Sequence, residues 1–208
     1  MSNNIETRER LLETALNLLW RRNYNAVGVN EICKQAGVTK GSFYHHFESK
    51  AALFCQASEY AWQSTKQVVD EIMSPMNPPL EQLKRYLRFV FSRKFDMDAG
   101  TVRDCSYTFS ASELGCDFDR IAQTQRDILQ RSITYNRALI QTLKQAGLLE
   151  KDICADSTAR LFAQYFHGMM SFARIENNFE AIKTDMTIAI FRLLGLKQEY
   201  WFDPFDDA

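Results

Sequence analysis

The sequence predicts an all-helical protein. Three observations predict it. Only four prolines and eight glycines interrupt 208 residues. Apolar side chains recur at three- and four-residue intervals over long stretches, the spacing that lines one face of a helix. No segment sustains the alternation of apolar and polar residues that a half-buried strand requires.

The elements follow in order. Leu12, Ala15, Leu16 and Leu19 place a helix over about residues 5–22, which Asn23-Tyr24-Asn25 interrupts. Val29, Ile32, Cys33 and Ala36 repeat the spacing on a short helix, and Gly37 is placed to end it in a left-handed conformation. Thr39 can cap the next helix by accepting from a free backbone N–H. Phe43 and Phe47, one turn apart, form that helix's inner face. Ser49 caps a longer helix running to about Met73, and Ser74-Pro-Met-Asn-Pro-Pro79 breaks the chain. Beyond the breaker the pattern gives helices at about 80–94, 109–115, 117–146, 156–176 and 180–194. Gly147 and Gly195 fit helix ends, and Asp156 and Asn178 fit caps near helix starts. Residues 96–108 read as irregular, and 196–208 as an aromatic, acidic tail.

Composition narrows the function classes. With 46% hydrophobic and 25% charged residues, the chain can bury a core and is not a disordered segment. The net charge is only −1, but residues 1–50 carry seven Lys/Arg against five acids. That mild basic excess permits contact with nucleic acid. The N-terminus has no apolar stretch and no run approaches the roughly 18 apolar residues of a membrane span, so a cytoplasmic location is expected. Cys33, Cys55, Cys105, Cys116 and Cys154 are odd in number and lack CxxC spacing, against a disulfide framework or a zinc site. No metal and no cofactor is expected, and no catalytic residue.

The stretch Gly28–Phe47 carries the strongest signal. A short helix, a turn on Gly37 and a second short helix would be pinned by their apolar faces against the first helix. Thr39, Lys40, Ser42, Tyr44, His45 and His46 would then face outward on a helix that fits a DNA major groove roughly 12 Å wide. Lys40 and Lys50 stand at successive helix starts, where a cation adds to the field that favours phosphate. Without further information, an ordinary helical hairpin with solvated polar faces would read the same way.

Thr39-Lys-Gly-Ser-Phe-Tyr-His-His-Phe-Glu-Ser-Lys50, preceded by Ala36-Gly37-Val38, resembles the signature of the TetR family of transcription regulators. The resemblance covers about residues 4–64 and includes Arg8. It implies an N-terminal three-helix helix-turn-helix DNA-binding domain over 4–64, with the motif at 28–47. It also implies a helical ligand-sensing and dimerisation domain over 65–195, with 196–208 as a tail. By position, Thr39, Lys40 and Gly41 would open the recognition helix, and Tyr44 and His45 would contact backbone or base edges. Ser42 would share that face, and Lys50 would hold a phosphate. Two departures stand out. Gly28 occupies a place where the family often has a hydroxyl, and Ala51-Ala52 removes the capping box after Ser49.

The resemblance further implies a homodimer on double-stranded operator DNA, released by a small-molecule or electrophile signal. Phe162, Phe166, Met169, Met186, Ile190 and Leu193 fall on the helical stripes that would form the dimer interface. Aromatics between Phe89 and Phe172 would line a pocket for an apolar or aromatic effector, or simply be core. Cys105, within Thr101-Val-Arg-Asp-Cys-Ser-Tyr107, resembles the cysteine of the electrophile-sensing subgroup typified by the N-ethylmaleimide-reductase repressor. Tyr107, Phe109 and His167 are taken with it as candidate sensing residues. Cys33 and Cys55 fall on apolar faces and read as core. Two alternatives are a helical adaptor that binds only proteins, and an enzyme using Cys105 or Cys116 with His167. No phosphate-binding loop, metal spacing or nucleophile elbow supports the enzyme.

Overall fold

A computed structural model describes residues 2–21, 24–96, 101–102, 117–150, 153–176 and 179–205. Among them lie eight α-helices: α1 (Ser2–Arg21), α2 (Val29–Ala36), α3 (Lys40–His46), α4 (Lys50–Ile72), α5 (Pro79–Lys94), α6 (Phe118–Gln145), α7 (Ala155–Glu176) and α8 (Phe179–Leu194). The class is all-α. A two-residue antiparallel ladder, β1 (Phe95–Asp96) with β2 (Thr101–Val102), falls where an irregular stretch was expected. Two residues per strand are too short to leave a periodic signature. The helix expected at 109–115 lies outside the described residues, as does Asn178.

The chain forms two compact units, Met1–Gln67 with Asp104–Leu129 and Val68–Arg103 with Gln130–Ala208. In the first unit, α1 buries Leu11, Leu12, Ala15 and Leu18. This stripe sits slightly to one side of the predicted one, and Leu16 is only half-buried. A 3₁₀ turn, Tyr24–Ala26, leads to α2, which sinks Ile32, Cys33 and Ala36 into the same core. Gly37 then adopts φ +66°, and Val38 N–H reaches back to the Cys33 carbonyl at 2.9 Å. A residue with a Cβ pays for that left-handed geometry, so glycine is the natural stop. Phe43 and Phe47 are fully buried, worth about 1.5–3 kcal/mol each by apolar transfer. Ile121, on the first turn of α6, belongs to this core although it is distant in sequence.

In the second unit, the breaker closes on itself through two amides. Asn77 Nδ2 donates to the Glu71 and Ile72 carbonyls, ending α4, and Gln82 Nε2 donates to Ser74 and Asn77. Pro79 opens α5 at a position that needs no N–H donor. Asp156 proves to be a residue of the first turn of α7 rather than its cap, and its carboxylate pairs with Arg137 at 3.2 Å. The ends of α6 and α8 lie side by side. Gly147 and Gly195 both have positive φ, Leu149 bridges Leu196, and Glu150 N–H donates to the Gly195 carbonyl at 2.7 Å.

The stretch after Gly195 is no loose tail. Leu196 is buried, the Trp201 indole donates to its carbonyl at 2.9 Å, and Phe202 packs on Phe191. Phe205 stacks on Phe91 with centroids 4.7 Å apart, completing a column of nearly parallel rings through Phe166 to Phe162. Sequence pattern does not reveal this packing, because the rings of Tyr200, Trp201, Phe202 and Phe205 are spaced for no regular element.

Candidate nucleic-acid interface

The outward face of α3 is set by its inward one. With Phe43 and Phe47 buried, the helical period leaves Lys40, Gly41, Tyr44 and His45 exposed together. Thr39, also exposed, is the cap: its Oγ1 accepts from Ser42 N–H at 3.1 Å, while Ser42 itself is half-buried. Tyr44, 56% exposed, rests edge-on against Phe43 with ring centroids 5.1 Å apart. A Cβ added at Gly41 would meet only Thr39 Oγ1, at 3.7 Å. Nothing inside the protein therefore demands glycine there.

His46 belongs less to this face than the sequence suggested. It is half-buried between His45 and Phe47, and desolvation, then His45 and Arg8, hold its imidazole pKa below the ordinary value. Arg8 lies over the Phe47 ring at 5.7 Å and donates to Gln56 Oε1, tying α1 to the end of α3 and to α4.

Lys50 is engaged otherwise than the resemblance implied. Its ammonium donates to the Tyr24 carbonyl at 3.0 Å and the Val27 carbonyl at 3.1 Å, and sits 3.9 Å from the Tyr24 ring centroid. Burial lowers its pKa and the Asp117 charge raises it again. Two of its three N–H donors thus close the α1–α2 connection, whose carbonyls turn toward the start of α4. Gly28 caps α2 with its backbone alone, and a Cβ there would meet nothing within 4 Å. Ser49 Oγ accepts from Ala52 N–H, half of a capping box whose other half Ala52 cannot supply.

Tyr24, Asp117 and Arg120 escaped the sequence reading. The Tyr24 hydroxyl donates to Asp117 Oδ2 at 2.8 Å, and Arg120 pairs with Glu48. A separation of 93 residues leaves no local signal for the first contact.

Of the residues expected at a dimer interface, Phe162, Phe166, Met186 and Ile190 are buried within the unit's own core, so they are not available to a partner. Met169 and Leu193 stay half-exposed and line an open groove with Tyr165, Asp185, Ile188, Ala189 and Arg192. Leu161 and Phe172 stand out on α7 at 49% and 52% exposure. The stripes read from sequence mixed the inner and outer faces of α7 and α8, because both faces are apolar. Among the candidate sensing residues, Cys105, Tyr107 and Phe109 lie outside the described residues. His167 is on α7, its pKa lowered by desolvation and by Lys94. Cys33 and Cys55 are buried as expected, and Cys154 is exposed.

The sequence model of bacterial regulatory proteins of the tetR family matches residues 11–57. The transcriptional regulator AcrR of Shigella flexneri is 28% identical over 169 residues, 79% of this chain and 77% of that protein. The transcriptional repressor NemR of Escherichia coli is 38% identical over 68 residues, 33% of this chain and 34% of that protein. Its crystal structure in the reduced form superposes with TM-score 0.76 at 21% identity, over 90% of this chain and 97% of that one. SmeT, the multidrug efflux pump repressor of Stenotrophomonas maltophilia, in complex with triclosan, gives TM-score 0.74 at 17% identity over 95% of each chain.

Proposed function

The chain belongs to the TetR family of bacterial regulatory proteins, and from that premise we propose that it is a transcriptional repressor that leaves its operator on an effector signal. The observation that carries this is the α3 face. Lys40, Gly41, Tyr44 and His45 are presented outward by a helix whose other side is locked by Phe43 and Phe47. No described helix is long and apolar enough to cross a membrane.

One short recognition helix supplies too few base contacts for specificity, so the functional unit is a homodimer on a near-palindromic site. Leu161, Tyr165, Met169, Phe172, Ile188 and Leu193 offer an apolar outer surface for the second copy. Selection of bound duplexes from a random pool tests the proposal. Two half-sites centred about 34 Å apart, bound with strong salt dependence, are expected. A protein showing no salt-sensitive, sequence-specific shift is instead the adaptor.

The signal we infer is a small apolar, aromatic or electrophilic molecule. The resemblance of the sequence around Cys105 to the electrophile-sensing subgroup supports the electrophile, and the triclosan complex of SmeT supports the aromatic. Turning a 99:1 population to 1:99 takes about 5.5 kcal/mol of differential affinity, within reach of a covalent adduct or a well-packed ring. Operator release by a mild electrophile in wild type but not in Cys105→Ser establishes the first. Equal release by both proteins removes Cys105 from the mechanism.

A further inference from the structure

Three contacts converge on the turn between α1 and α2. Lys50 Nζ donates to the Tyr24 and Val27 carbonyls, the same ammonium covers the Tyr24 ring, and the Tyr24 hydroxyl donates to Asp117 Oδ2. Tyr24 and Val27 are fully buried, and Val27 immediately precedes the Gly28 cap of α2. No side chain caps α2, so the place where it starts is set by what holds that turn. Ile121, one helical turn beyond Asp117, is buried in the same core, and Cys55 Sγ reaches the Arg120 carbonyl at 3.9 Å. The start of α6 is thus built into the DNA-reading unit.

We propose that Lys50, Tyr24 and Asp117 form a clasp that positions α2 and, through the Gly37 turn, the recognition helix α3. The clasp rests on the DNA-binding reading and adds positioning residues that the recognition motif does not contain. Lys50 and Asp117 act on DNA affinity through Tyr24 and touch no base. Their opposite charges bracket one aromatic ring, with the ammonium on its face and the carboxylate at its hydroxyl. Loss of either end frees the turn and lets α2 start in more than one place. The folded protein would then lose geometric fit to its half-site while its charge toward phosphate stays nearly the same.

The test uses full-length Tyr24→Phe, Asp117→Ala and the double variant, titrated into the selected operator and into an unrelated duplex over a range of salt. Each single change should weaken operator binding about tenfold, the worth of one hydrogen bond to a charged group. Binding to the unrelated duplex and its salt slope should stay at wild-type values. The double variant should be no weaker than the weaker single, because both changes open one clasp. Wild-type operator affinity in both singles overturns the proposal, and so do losses that multiply in the double variant. If Asp117→Ala does not fold, hydrogen exchange in Tyr24→Phe decides. Faster exchange of the Val29–Cys33 amides supports the clasp, and unchanged exchange overturns it. Wild-type protein that binds no duplex would refute the DNA-binding reading, while the exchange measurement would still judge the clasp.

Discussion

Gly41→Ala should raise stability and lower operator affinity at once. Glycine inside a helix costs roughly 0.5–1 kcal/mol relative to alanine, and the new methyl meets only Thr39 Oγ1 at ordinary contact distance. The folded protein therefore gains up to about 1 kcal/mol, a rise of roughly 2–4 °C in melting temperature for a chain of this size. On the DNA side the sign reverses. Gly41 is exposed beside Lys40 on the presented face, so a methyl there holds the α3 backbone away from whatever approaches it. Losing one charge-assisted hydrogen bond to phosphate costs about 1.5–3 kcal/mol, or about ten- to a hundredfold in affinity. Urea unfolding of the free protein and fluorescence anisotropy on the selected operator measure the two effects separately. A variant that is more stable and binds as tightly as wild type would refute the idea that DNA comes close to Gly41. A less stable variant would refute the packing argument.

Phe166→Lys and Ile190→Lys should unfold the second unit, since both side chains are buried within it, whereas Leu161→Lys and Phe172→Lys should leave a folded chain that sediments as a monomer. Gly28→Ser supplies a hydroxyl cap at a φ of −92° that any residue adopts, so the urea midpoint should rise by the equivalent of about 0.5–1 kcal/mol. Native alkylation with iodoacetamide, mapped by mass spectrometry, should reach Cys154 before Cys33 or Cys55. Cys154 is exposed and hydrogen bonds from Ser157 and Asp156 lower its thiol pKa, whereas burial raises that of Cys33; equal labelling of the three contradicts this order. Tyr86→Phe strips the buried Asn136 Oδ1 of its 2.6 Å donor and should cost about 1–3 kcal/mol in the same denaturation assay.

Local chemistry was the legible part of this sequence. The Gly37 stop, the Thr39 and Ser49 caps, the Ser74–Pro79 breaker and the buried Phe43 and Phe47 each follow from a few neighbouring residues, and the structure carries all of them. What stayed hidden depends on contacts between distant segments. Helical spacing shows that Phe166 and Leu161 are apolar, but not which of them turns inward, because α7 is apolar on both sides. Lys50 occupies a place where a cation favours phosphate, and only the fold reveals two backbone carbonyls within reach of its ammonium. The packing of residues 196–205 stayed hidden for a related reason. The aromatics there are spaced for no regular element, and they bury through stacking on Phe91 and Phe191.

The return of Asp104–Leu129 to the N-terminal unit bears on how such regulators can be recombined. A gene fusion that cuts after residue 67 and grafts on a foreign sensor would carry the whole recognition motif. It would leave behind Ile121, Arg120 and Asp117. The transplanted head would have a hole in its core and a tyrosine without its acceptor. A working chimaera needs a splice after residue 67 and two more, near residues 104 and 129, to carry both stretches of chain that complete the head. Shuffling by a single crossover would then tend to exchange sensors only between relatives whose α6 can dock on the same head.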